Sequence, residues 1–168
     1  MPNIDIKRLE SVDECFDELT ELIMLVVEDG ASIGFLHPLE RHEAQIYWQG
    51  VPAPEVVLYA ALIDGKLVGS VQLHLCMKRN GDHRAEIAKL MTHPDYRRQG
   101  VGRVLMEAAE AHAKQEGRSL LVLDTREGDP SNLLYQSLGY VQAGRIPDYA
   151  KSASGRLDAT VLYYKSLL

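Results

Sequence analysis

The spacing of apolar and polar positions changes several times along the chain, and each change marks an element. Ile4 and Ile6 alternate with polar neighbours and Leu9 follows slightly out of phase, which predicts a strand over residues 4–9. The period then lengthens: Phe16, Leu19, Leu22, Ile23, Val26 and Val27 share one face of a helix ending near Gly30. Ser11 and Glu14, just before it, have the spacing of a capping box. Residues 30–38 form a glycine-punctuated loop carrying Phe35 and His37, and a second helix is predicted over residues 39–48.

Strand patterns return at residues 56–63 and 67–77, joined by the hairpin signal Asp64-Gly65. Asn80-Gly81 turns the chain again, into residues 84–92. Three antiparallel strands therefore lead up to Arg97-Arg98-Gln99-Gly100-Val101-Gly102. In the helix that follows, Val101, Val104, Leu105, Ala108 and His112 face the sheet, while Arg103, Glu107, Glu110 and Lys114 face water. Gly117 ends it. Residues 119–125 are almost continuously apolar, as in a buried parallel strand. Asp129 as N-cap and Pro130 at the first helical position open a helix that carries Asn132, Leu134, Tyr135 and Leu138 and stops at Gly139. Residues 140–145 and 159–165 read as a closing hairpin around a long loop, 146–158.

Composition narrows the possibilities. The chain has 168 residues, 46% of them hydrophobic, enough for one domain with a substantial core. No apolar run approaches membrane-spanning length, so no membrane partner is expected. With 18 basic against 24 acidic residues the net charge of -6 disfavours nucleic acid and suits a cationic substrate. Cys15 and Cys76 lack ligand spacing and read as free thiols in a reducing compartment, hence a cytoplasmic protein. Residues 1–5 lack the basic and apolar regions of a signal peptide. The histidines share no spacing, so no metal is expected.

The chemistry gathers in residues 85–102. A strand, a turn and a glycine loop feeding a long helix aim several backbone N–H groups and the positive helix end at one point, which is a pyrophosphate site. Gly100 and Gly102 allow close approach of the backbone, and the arginines add charge-assisted bonds.

With these elements in place, the chain resembles the GCN5-related N-acetyltransferases (GNATs) over essentially its whole length. The most specific part is Arg97 to Gly102, which matches the family's (Arg/Gln)-x-x-Gly-x-(Gly/Ala), with Pro94 and Tyr96 before it and Asn132, Tyr135 and Leu138-Gly139-Tyr140 after it. Within the family, a closer likeness to the tabtoxin-resistance acetyltransferases shows in Gly30-Ala31-Ser32, Gly34-Phe35, Cys76, Lys78, Asn80-Gly81 and Arg84-Ala85-Glu86. It continues in Lys89-Leu90-Met91, Leu123-Asp124-Thr125 and Gly155-Arg156-Leu157.

The resemblance implies an α/β GNAT fold over residues 1–168, a mixed, mostly antiparallel seven-stranded twisted sheet with helices on both faces. It implies acetyl-CoA as cosubstrate, no metal, and direct attack by a small-molecule amine in a ternary complex. The acceptor would be an amino acid or an amino-acid-like antimetabolite, walled by the 30–38 loop and the second helix, and the assembly a homodimer. The rivals are a peptide or protein N-acetyltransferase and a non-catalytic acetyl-CoA-binding regulatory module.

Residue by residue, the likeness assigns the acetyl carbonyl and pantetheine to the backbone of Leu90, Met91 and Thr92, with the Leu90 N–H as oxyanion donor. The pyrophosphate falls to Arg97, Arg98, Gln99, Gly100, Val101, Gly102 and Arg103, and Asn132 and Tyr135 border the cofactor. Tyr135 stands at the general-acid position. Glu86 or Asp124 serves as base, with Asp124, ending an apolar strand and partly desolvated, expected to border the pocket of Tyr135. Trp48, Phe35, Tyr149 and Arg156 are further candidates for acceptor contact.

Overall fold

The computed structural model describes residues 2–168; Met1, which opens the segment lacking a signal-peptide pattern, lies outside them. The strands are β1 (Asp5–Leu9), β2 (Val56–Ile63), β3 (Lys66–Leu75), β4 (Arg84–Thr92), β5 (Leu120–Arg126), β6 (Val141–Lys151) and β7 (Leu157–Ser166). The helices are α1 (Phe16–Glu28), α2 (Arg41–Gln49), α3 (Val101–Gln115) and α4 (Ser131–Ser137). One seven-stranded sheet runs in the order β1-β2-β3-β4-β5-β7-β6. Among the described residues, only β4 and β5 are parallel neighbours.

The sheet buries apolar side chains on both faces. On one, Val68, Leu73, Ala85, Ile87, Leu121 and Leu123 pack against α3 and α4 through Leu105, Met106, Ala109 and Tyr135. On the other, Leu58, Ala60, Leu67 and Met91 meet Leu19, Leu22, Ile23, Val26 and Trp48 of α1 and α2. Each fully buried aliphatic side chain contributes about 1.5–3 kcal/mol relative to exposure, so both faces are tightly held.

Several local expectations are corrected. Glu14 does not close a capping box: its carboxylate pairs with Lys7 at 2.6 Å, a short 3-10 turn intervenes, and the α-helix starts at Phe16. Asp129 does not cap α4, because its carboxylate accepts from Arg126 Nε at 3.0 Å. On α3 the deepest residues include Met106, Ala109 and Ala113, and Glu110, expected to face water, is mostly buried and takes a 2.6 Å bond from Lys165 Nζ. The long loop 146–158 is mostly strand: β6 and β7 continue through it, and a tight turn closes with Ser152 N–H donating to Arg156 O at 2.8 Å. Trp48 is fully buried and donates to Leu19 O at 2.9 Å, which removes it from the acceptor candidates.

Candidate active site

The site begins where two parallel strands part. β4 and β5 pair only at Arg84–Leu120, Ala85–Leu121 and Glu86–Val122. Beyond that rung β5 goes on pairing with β7 while residues 87–92 of β4 lose their β5 neighbour. Buried strand edges need partners for their backbone groups, so a gap here asks for an extended guest. Within the same stretch, a bulge disturbs the other side of β4: Gln72 pairs with Ala88 and Ser70 with Met91, so Lys89 and Leu90 share the space opposite Val71. Lys89 takes φ of +53° to achieve this.

On the α1–α2 face the fork carries the polar groups. Glu86 stands beside His74 across the β3–β4 ladder. Its side chain reaches water, yet the surrounding walls push its carboxyl above the usual carboxylate range, and the charge of Asp124 adds to the shift while Lys89 opposes it. Asp124 is exposed rather than desolvated, contrary to the expectation for the end of an apolar strand. It accepts the hydroxyl of buried Thr160 at 2.8 Å. His74 Nε2 meets Gln72 Oε1 at 2.9 Å, and Gln72 Nε2 donates to Tyr47 Oη at 2.7 Å. Phe35 packs edge-on against Tyr47. Tyr149 and Arg156, by contrast, lie exposed on the terminal hairpin, where Arg156 pairs with Asp158.

On the opposite face Tyr135 lies in the α3–α4 core, 6% exposed, tilted against Tyr140 and Tyr163. Burial raises its phenol strongly, and the charges of Asp124 and Asp129 raise it further, so it keeps its proton throughout the working range. Asn132 is fully engaged in holding α4: its amide donates to Arg126 O and Asp129 O, and its Oδ1 accepts from Tyr163 Oη at 2.8 Å.

At the far end of β4 the chain reaches the glycine loop. Gly100 adopts a left-handed φ of +87°, with open space where a side chain would stand. Helix geometry leaves the N–H groups of Val101, Gly102 and Arg103 without intrahelical carbonyls, and they point out of the α3 N-terminus. Gly102 lies under Leu134, 3.2 Å from where its own Cβ would be. The arginines divide: Arg97 pairs with Asp29 at 2.5 Å, Arg103 donates to Ser137 Oγ at 2.6 Å, and Arg98 is exposed. The Val101 side chain is core.

Residues 26–140 match the Acetyltransferase (GNAT) family. The chain is a GNAT N-acetyltransferase. It is 31% identical over 132 residues to an uncharacterised N-acetyltransferase of the hisH–hisA intergenic region of Azospirillum brasilense, covering 76% of this chain and 78% of that one. Over 79 residues it is 33% identical to the ribosomal protein bS18-alanine N-acetyltransferase of Escherichia coli K12, covering 46% of this chain and 53% of that one. The structure of Salmonella typhimurium yncA with its cofactor acetyl-CoA superposes with a TM-score of 0.82 at 17% identity, covering 99% of this chain and 95% of that one.

The GNAT geometry fits acetyl-CoA on this chain's own terms: an unpaired strand edge for an extended arm, and free N–H groups around a left-handed glycine for a pyrophosphate. The motif reading named the glycine loop and the fork residues but gave no role to Lys89, His74, Gln72, Tyr47 or Thr160. A two-residue turn at Asn80-Gly81 would set His74 beside Ile87; the turn is longer, with Gly81 N–H donating to Lys78 O and Arg84 N–H to Gly81 O, and it shifts the register by one residue to pair His74 with Glu86. The bulge at Lys89 leaves no mark in the apolar pattern. Arg126 also escaped notice: it donates to Gly30 O at 2.9 Å and so ties β5 to the loop over the site.

Proposed function

We propose that this acetyltransferase modifies the amine of a small amino-acid-like acceptor by direct attack in a ternary complex with acetyl-CoA. The observation that carries the reading is the fork, with two carboxylates on one face and a buried, protonated phenol on the other. Bound acetyl-CoA supplies an acetyl thioester. The residues positioned to hold it are Leu90, Met91 and Thr92 along the open edge and Arg97 to Arg103 around the α3 N-terminus, with Arg98 the arginine side chain free to reach phosphate.

An aliphatic amine with pKa of about 10 arrives protonated, so attack requires a base. Glu86 suits the task, because its raised pKa brings proton affinity closer to neutral pH. Asp124, held by Thr160, then serves to attract the ammonium and to keep Glu86 basic. The Leu90 N–H meets the charge that develops on the thioester oxygen, an interaction of a kind worth about 3–4 kcal/mol. Tyr135 protonates the departing thiolate from the far side.

The tabtoxin-resistance likeness supports an antimetabolite as acceptor, and the free thiols Cys15 and Cys76 support a cytoplasmic setting. A homodimer is part of the same proposal: Val141, Ile146, Leu162 and Tyr164 are exposed together on the α1–α2 side of the β6–β7 hairpin. A second reading, acetylation of a polypeptide N-terminus, draws on the bS18-alanine relative, of which the chain spans about half. Thiol release measured against amino acids, diamines, β-lactam dipeptide analogues and peptides separates the two. Turnover confined to peptides would reject the small acceptor.

A further inference from the structure

The fork holds one cation that the acetyl-transfer chemistry does not use. Lys89 occupies the bulge of β4 with φ of +53°, a conformation that favours glycine or asparagine over a long side chain. Two residues opposing one let the strand turn a side chain that regular alternation would send to the other face. Lys89 accordingly reaches the acceptor side: a Cβ at Gly34, in the loop over the site, would lie 3.5 Å from its Nζ. The side chain is half-buried, and among the described residues its ammonium has no carboxylate within ion-pair distance.

Half-burying an ammonium without pairing it is unfavourable, since water is removed and nothing replaces it. The lost hydration pulls Lys89 below the usual lysine range, and the negative charges of Glu86 and Asp124 work against that pull. The next residue, Leu90, lies on the open edge beside the thioester position. The acceptor face thus presents two separated poles: an anionic pole at Glu86 and Asp124, and a cationic pole at Lys89. A zwitterionic acceptor, with its amine toward the carboxylates and its carboxylate toward the ammonium, complements both.

We propose that Lys89 receives the carboxylate of the acceptor, making this residue the selector for α-amino acids over simple amines. The assignment rests on the small-acceptor reading above. Gly34 leaves room for the ammonium beneath the loop, and its φ of +93° disfavours any side chain that would crowd it.

The test compares Lys89→Met with the unaltered enzyme, using a panel of L-α-amino acids and their α-carboxamides as acceptors in a thiol-release assay. Methionine keeps the unbranched stem at the bulge and removes the charge. Loss of a charge-assisted bond predicts a KM increase of about 10- to 100-fold for the amino acids, with kcat changed far less. For the carboxamides, KM should hardly move, so the preference for a free carboxylate collapses. Lys89→Arg should retain part of that preference. Calorimetric affinity for acetyl-CoA within about twofold of the unaltered enzyme verifies that the site has folded. Equal loss on acids and carboxamides, or an unaltered enzyme indifferent to the carboxylate, overturns the role of Lys89 while small-amine acetylation stands. Thiol release with peptides alone overturns both.

Discussion

Glu86 pairs with Val122 on the last rung that β4 and β5 share. One residue further the strands have separated, so this carboxylate stands at the mouth of the gap where an acetyl group and an amine would meet. Burial raises its pKa most, and the charge of Asp124 adds to the rise and couples the two carboxylates. The acidic limb of kcat/KM should therefore lie above the usual carboxylate range. Glu86→Gln should abolish that limb and lower the rate about 10²- to 10⁴-fold. Asp124→Asn should keep the limb but move it part of the way to lower pH, since burial still raises Glu86 while the added charge is gone. A limb that stays in place in Asp124→Asn would refute the coupling.

The same raised pKa carries a stability consequence. Folded Glu86 binds its proton more tightly than the unfolded chain does, so the folded state gains relative to the unfolded state as pH falls. Between the unfolded and the folded pKa that advantage is lost as pH rises, and above the folded pKa the ionised carboxylate is a net cost. Glu86→Gln should consequently raise Tm at pH 7.5 while lowering activity, and the gain should shrink toward pH 4. Thermal unfolding at the two pH values measures it. A variant less stable at pH 7.5 would contradict the direction.

How far the sequence reached depends on what each segment buries. β2 and β4 were readable to their end residues because alternation met clear turn signals at Asp64-Gly65 and Asn80-Gly81. The terminal hairpin was not, because nearly every residue of β6 is exposed and there is no core face to set a period. Pro147 falls where the β6–β7 register is interrupted between Ile146 and Ala150, a place in an edge strand that tolerates a residue without an N–H. Family spacing named Glu86 and Tyr135 as candidates, and they flank the fork from opposite faces of the sheet. Lys89 was not, since a bulge changes which face a side chain takes without changing its spacing. Asp124 was misjudged because the apolar run before it packs through Leu121 and Leu123 on one face only.

Gly100 gives a prediction about the cofactor loop. Its φ of +87° lies where side chains are strained, although no atom stands within 4 Å of the Cβ position. Gly100→Ala therefore meets backbone strain rather than a clash, with an expected stability loss of about 1 kcal/mol. Relief of that strain would tilt the free N–H groups of α3 away from the pyrophosphate. Acetyl-CoA affinity should fall by about tenfold or more in calorimetry, with the acceptor KM little changed. Unaltered acetyl-CoA affinity would remove the loop from the cofactor site.

Tyr135 gives the sharpest separation of binding from chemistry. Its ring is held by Tyr140 and Tyr163, and phenylalanine would keep those contacts. Burial keeps the hydroxyl protonated at any working pH, which suits a donor to a thiolate and rules out a base. Tyr135→Phe should thus lower kcat by about 10²-fold or more, while acetyl-CoA affinity and Tm stay close to those of the unaltered enzyme. Because the leaving thiolate is what lacks a proton, an acyl donor with a more acidic thiol should recover part of the lost rate. Near-normal turnover in Tyr135→Phe, or a loss that is independent of the leaving thiol, would assign the phenol to packing instead.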